Sequence, residues 1–287
     1  MALEWLGLAL AAAVLNGLSV LAAKPSTDRL GPPLMGLGAI LAEGLVFGAA
    51  GLLLPRAPIT AGAGAIAGAI LAGILGAVGY PFFFAGMRRG SVGLVGTISA
   101  AAPLLTVALS VALLGEALGG LQVLGIATTM ACVLLLAVEP RRSSANRRAA
   151  VLLSLGGFLT WGLWGFLLKT GVDALGEGNL FLLMAAAYLA VAAVIGAVSR
   201  RGLAPRVPAP GRVWAVGLAV FLFGGIAAVA LTTAYDVGSA TLVAPVAGTY
   251  PVIATLGAWA VLRERPDWRI GVALVLFVVG ISLLSTA

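Results

Sequence analysis

RRGSVGLVGTISAAAPLLTVALSVALLGE (88–116) and DVGSATLVAPVAGTYPVIATLGAWAVLRE (236–264) read as two copies of one segment. An offset of 148 superposes Gly90 on Gly238, Ser91 on Ser239, Pro103 on Pro251 and Glu116 on Glu264. Upstream, LNGLSVLAAK (15–24) aligns with TWGLWGFLLK (160–169) at an offset of 145, matching Gly17 to Gly162 and Lys24 to Lys169. Anchors that recur in the same order mark a duplicated chain, and such self-similarity decides the architecture before any local reading does.

The medium these copies occupy follows from composition. Of 287 residues, 61% are hydrophobic and only 9% charged, against about 25% charged in a soluble domain. Too little polar surface remains to face water. Backbone groups in hydrocarbon must be satisfied internally, so helices or closed barrels are the spanning options. Long apolar runs without strict alternation select helices, and about 20 residues suffice for a crossing. Ten runs qualify: 3–23, 32–54, 62–87, 91–114, 119–138, 149–170, 178–199, 212–235, 239–262 and 269–286. The first begins MALEW, acidic where a signal peptide is basic, and is expected to be a retained span.

The expected fold is therefore an all-α integral membrane protein of ten transmembrane helices in two five-helix repeats. Residues 1–140 form the first repeat, 141–148 a basic linker and 149–287 the second. Five is odd, so the second repeat enters the bilayer from the opposite side and the repeats are inverted. Transporters use this architecture, with the substrate near the midplane between the halves. Fifteen of the 17 Lys and Arg residues fall in connections after spans 1, 3, 5, 7 and 9, with only Arg56 and Lys169 opposite. The positive-inside rule then predicts cytoplasmic odd connections and both termini outside.

Composition also excludes chemistries. There is no histidine, and Cys132 stands alone, which removes zinc sites, His-based triads and intrachain disulfides. No metal site and no catalytic residue is expected. The net charge of +7 is scattered over short connections, a pattern of membrane orientation rather than of nucleic-acid binding. A Walker sequence, needed for a nucleotide-driven pump, is missing.

At WGLWGFLLK in span 6, the prolines of spans 4 and 9, and the glutamates of LLGEAL and LRERP, the chain resembles the ten-helix, EamA-type members of the drug/metabolite transporter superfamily. The resemblance covers nearly the whole chain. It implies a secondary carrier of the bacterial plasma (inner) membrane, with a central cavity that exports or exchanges small metabolites such as amino acids or amines. The implied partners are a small-molecule substrate and the bilayer, the chain acting as monomer or homodimer without a cofactor, driven by a proton gradient. Where the family usually has Trp-Gly in span 1, this chain has Asn16-Gly17, and it carries Glu43 in span 2 where many members have a basic residue. The competing class is a membrane-embedded lipid-modifying enzyme or lipid flippase. Lipid chemistry would need a nucleophile and base, or a metal cluster.

Candidate transport residues follow from polarity inside the spans. Glu43 is a lone acid near the centre of span 2, where an ionisable group costs roughly 2.5–3.5 kcal/mol. Burial disfavours its charged form, so it suits proton carriage, attraction of a cationic group, or hydrogen-bonded glue between helices. The repeat places Tyr188 at the matching position of span 7. Trp161 and Trp164, mid-span at i, i+3 spacing, match Asn16 and Ser19 of span 1, and these four are candidate cavity walls. Tyr80-Pro81 and Tyr250-Pro251 pair a phenol with a helix breaker. Pro81, Pro103, Pro245 and Pro251 are candidate hinges. Thr97, Ser99 and Thr232 are possible cavity hydroxyls, with bonding to their own backbone the alternative. Lys24 and Lys169 end spans 1 and 6, either snorkelling or guarding the cavity mouth. Glu116 and Glu264 are expected to cap or bridge helix ends. Gly44/Gly48 and Gly64/Gly68 form GxxxG pairs expected to pack helices 2 and 3 together.

Overall fold

The structure is a computed structural model that describes residues 4–89, 92–136, 147–199, 210–262 and 268–285. The described residues form helices and no strand. In chain order they are α1 (Glu4–Leu30), α2 (Pro32–Leu53), α3 (Ala63–Arg89), α4 (Val92–Ala100), α5 (Ala102–Leu109, ending in a π-turn Ser110–Leu114) and α6 (Gly120–Leu136). There follow α7 (Arg147–Leu175), α8 (Glu177–Val198), α9 (Gly211–Val237), α10 (Ala240–Ala247), α11 (Tyr250–Leu262) and α12 (Trp268–Leu284). Seven helical segments are long and apolar enough to cross a membrane, and three more are apolar but shorter. Large aliphatic side chains such as Leu45, Leu53 and Val198 stand exposed on their outer faces. In water such a surface would be a liability; against acyl chains it costs nothing.

Two expected breaks lie elsewhere. The stretch KPSTDRL does not leave the first helix: α1 continues through Lys24 and Pro25 to Leu30, and the chain turns at Gly31 alone. Likewise α7 runs past the expected end at 170 to Leu175 and turns at Gly176. Both glycines adopt positive φ, 87° and 72°, a conformation that a Cβ disfavours. They are 145 residues apart, the repeat offset. Polar residues need not end these helices: α1, at 27 residues, is about 40 Å long, more than the roughly 30 Å of a bilayer's hydrocarbon. The helix stops where a residue tolerates the left-handed turn.

Spans 4 and 9 are each broken in two, at equivalent places. Leu104 N–H donates to Ala101 O (2.9 Å) and Ala101 N–H to Ile98 O (3.4 Å). In the other half Val252 N–H donates to Thr249 O (2.9 Å) and Thr249 N–H to Val246 O (3.1 Å). Every residue of the second set is 148 beyond its counterpart. Pro103 and Pro251 fall just after these breaks, in the first turn of α5 and α11, where a missing N–H would be unsatisfied anyway. Pro245 lies inside α10 and Pro81 inside the unbroken α3.

The halves pack by exchange. Helix α1 lies against α9 and α11, and α7, the counterpart of α1, lies against α3 and α5, the counterparts of α9 and α11. Helix α2 packs on its own counterpart α8, and α6 on α12. Glycines set the separations. A Cβ on Gly17 would lie 2.6 Å from Ile253 Cβ and 2.8 Å from Tyr250 O. A Cβ on Gly162 would lie 2.7 Å from Leu105 Cβ and 3.0 Å from Ala102 O. These are the same contacts with the halves exchanged, the signature of a pseudo-two-fold axis.

The GxxxG expectation is corrected by this packing. Gly44 faces Tyr188 and Leu189, and Gly48 faces Ala185, so they seat α2 on α8 of the other half rather than on α3. Gly64 meets nothing within 4 Å and Gly68 only Leu167 at 4.0 Å. Sequence spacing identifies a smooth face but not the helix that occupies it.

Candidate substrate cavity

Between the halves lies a cavity of about 160 Å³ lined from α1–α5 and α7–α11. Ten residues singled out from sequence meet there: Asn16, Ser19, Glu43, Tyr80, Ser99, Pro103, Trp161, Trp164, Tyr188 and Tyr250. The two spans that break do so at the cavity wall, where Ala102, Pro103, Gly248 and Tyr250 are exposed to it.

Glu43 sits on α2 with 3% of its surface exposed. The phenols of Tyr80 (α3) and Tyr188 (α8) lie within interaction range of its carboxyl group, while Oε2 has no partner within the protein. Tyr188 reaches it because α2 and α8 cross at the pseudo-axis, with Gly44 lying against Tyr188. Phe47 meets the Tyr188 ring edge-on at 5.3 Å and stacks on Phe181 at 5.4 Å, fixing the phenol's direction.

The aromatic wall depends on glycines that the sequence reading missed. A Cβ on Gly79 would collide with Trp161 Nε1, and one on Gly76 with the Tyr188 hydroxyl and with Trp164 Nε1 (2.8 Å). Spaced i, i+3 on α3, these glycines clear one face for both indoles. Trp161 Nε1 donates to Gly76 O at 3.3 Å, and its ring meets Tyr80 edge-on at 5.6 Å. Trp164 Nε1 and Ser99 Oγ, both buried cavity atoms, have no partner within the protein. On the opposite wall α1 is lean: Ser19 Oγ donates to Val220 O of α9 at 2.8 Å. Also unforeseen were Phe83, Phe84, Phe221, Tyr235 and Thr106, whose hydroxyl donates to Gly162 O at 2.9 Å. Thr106 lies within the span already read as broken by Pro103, three residues on, which is a usable signal; Phe221 has none.

Other expected site residues lie elsewhere. Thr232 does not line the cavity, and its hydroxyl donates to Ala228 O (2.9 Å) one turn back, the usual fate of a threonine in an apolar helix. Pro81, Pro245 and Pro251 do not line it either. Lys169 is not among the lining residues. Its ammonium donates to Asp173 Oδ1 (2.8 Å) and to Tyr235 O (2.9 Å), tying α7 to the end of α9. The side chains of Lys24 and Thr97, and residues Glu264 and 141–146 of the linker, lie outside the described residues. Glu116 does cap a helix, and in the other half: its two carboxyl oxygens accept from Ala240 N–H (3.0 Å) and Thr241 N–H (2.8 Å), at the start of α10. Among the described residues no group of His, Cys, Asp and Glu is arranged to hold a metal ion.

A profile of the EamA-like transporter family matches residues 3–138 and 148–286. No match is found among curated proteins. A solved structure, described only as "Crystal structure of protein", superposes with a TM-score of 0.76 at 20% identity, over 96% of this chain and 94% of that one. At that identity the likeness speaks for the fold.

Proposed function

Because the chain belongs to the EamA-like transporter family, we propose that it is a secondary-active carrier that exports or exchanges a small metabolite by alternating access. In this reading ten transmembrane segments form two inverted halves, 1–140 and 149–287 joined by a basic linker, in the bacterial inner membrane with both termini outside. The halves rock about the pseudo-axis at α2 and α8, and the paired breaks in spans 4 and 9 serve as hinges. Discontinuous helices beside a central site are a recurrent device of transporters. A proton gradient supplies the driving force, with Glu43 as the proton-carrying group. The chain works as a monomer or homodimer and needs no cofactor.

The observation that supports this best is the Glu43 carboxyl oxygen, buried and without a protein partner, at a cavity walled by both halves. Structural glue would spend that oxygen on a neighbouring helix. Left open to the cavity, it is available to a proton or a ligand. Reconstituted protein in liposomes tests the reading: preloaded substrate should drive counterflow, and Glu43→Gln should abolish proton-driven accumulation. Undiminished accumulation in that variant would remove Glu43 from the coupling.

A further inference from the structure

The cavity's charge is unbalanced. Among the described residues 29 line the cavity, and of these only Glu43 is charged, with no Lys or Arg among them. The described lysine that approaches from α7, Lys169, is held by Asp173 and the Tyr235 carbonyl. Nine lining residues are aromatic, and the rings of Trp161 and Tyr80 meet edge-on in the cavity wall. The volume of about 160 Å³ compares with about 150 Å³ in an apolar cavity that admits benzene.

We infer that the cavity selects a small monocationic amine with an apolar or aromatic body, its ammonium N–H donating to Glu43 Oε2. Three features converge on that class. A buried carboxylate oxygen without a partner calls for a donor, and a charged donor gains most. Aromatic faces attract a cation electrostatically. Amino acids and organic acids would bring a carboxylate into a buried site whose described lining offers neutral donors, such as Trp164 Nε1 and Ser99 Oγ, and burying an anion without a counter-charge is costly. The same carboxyl holds either the amine or a proton, so the two exchange one for one. The titratable groups facing Glu43 from the packed helices are the phenols of Tyr80 on α3 and Tyr188 on α8; α9 presents Gly225 to its backbone.

This deepens the carrier reading and rests on it for the site's purpose, but binding can be measured without transport. Purified full-length protein in detergent would be titrated calorimetrically with four probes sharing one ring: 2-phenylethylamine, phenylalanine, phenylacetate and 2-phenylethanol. The amine should bind at least about tenfold more tightly than the other three, and Glu43→Gln should reduce it to the level of the alcohol. Equal or tighter binding of phenylalanine or phenylacetate would overturn the assignment. So would failure of the amine to bind at millimolar concentration, or an undiminished preference in Glu43→Gln. Should that variant not fold, the ranking on the wild-type protein decides alone. Amine binding without counterflow would sink the carrier reading and keep the ligand class; counterflow of phenylalanine without amine preference would do the reverse.

Discussion

Glu43 and Tyr188 occupy the same position of the two repeats, 145 residues apart, and meet where α2 packs on α8, the phenol of one within interaction range of the carboxyl of the other. A residue close to a two-fold axis meets its own counterpart. Identical side chains there would give two acids facing each other or two phenols without an acid. Divergence at this single pair provides one acid with a donor beside it.

Removing that donor should therefore be felt in transport. A hydrogen bond from this phenol to the carboxylate in its charged form would contribute about 1.5–3 kcal/mol, so Tyr188→Phe is expected to lower proton-driven uptake by about ten- to a hundredfold. Thermal stability should change little, because the ring keeps its contact with Phe47. Initial uptake rates in liposomes under a fixed pH gradient, set beside thermal unfolding in detergent, check both. Wild-type rates would detach Tyr188 from the mechanism.

The exchanged glycine contacts predict matched damage. Gly17→Leu and Gly162→Leu would each drive side-chain atoms into the backbone of the opposing half, at Tyr250 and Ala102 respectively. Overpacking of this kind costs typically about 1–3 kcal/mol, and the two losses should be similar. Gly64→Leu, at a position with open space around it, serves as the control. Apparent melting temperatures of the three variants are the readout.

Glu116 caps α10 across the halves, and losing a cap costs about 1 kcal/mol. Glu116→Ala should accelerate hydrogen exchange at the Ala240 and Thr241 amides while leaving mid-helix amides of α9 unchanged. Mass-spectrometric exchange on peptides covering 238–245 measures it. Uniform protection in the variant would mean that the carboxylate adds nothing to the helix end.

Orientation can be read with a single thiol label. Cys132 is fully buried and should resist maleimide, so introduced cysteines report without background. Thr60→Cys lies in the connection between α2 and α3, and Ser143→Cys in the basic linker. An impermeant maleimide on intact cells should modify the first and reach the second only after permeabilisation. Labelling of both from one side would contradict the odd number of spans per half.

Sequence alone determined the medium, the helical class, the duplication and the equivalence of Pro103 with Pro251, because each of these is written in local composition and in spacing along one strand of chain. It also placed one acid and two indoles mid-span. It could not say that the Gly44/Gly48 face of α2 seats on α8 rather than α3, that Gly76 and Gly79 make room for Trp161 and Trp164, that Lys169 is held by Tyr235, or that Tyr80 and Tyr188 reach Glu43. Those are decided by which helix face meets which across the two halves. In a membrane every outer face is equally at home against lipid, so periodicity gives no direction, and close packing of small residues selects the partner.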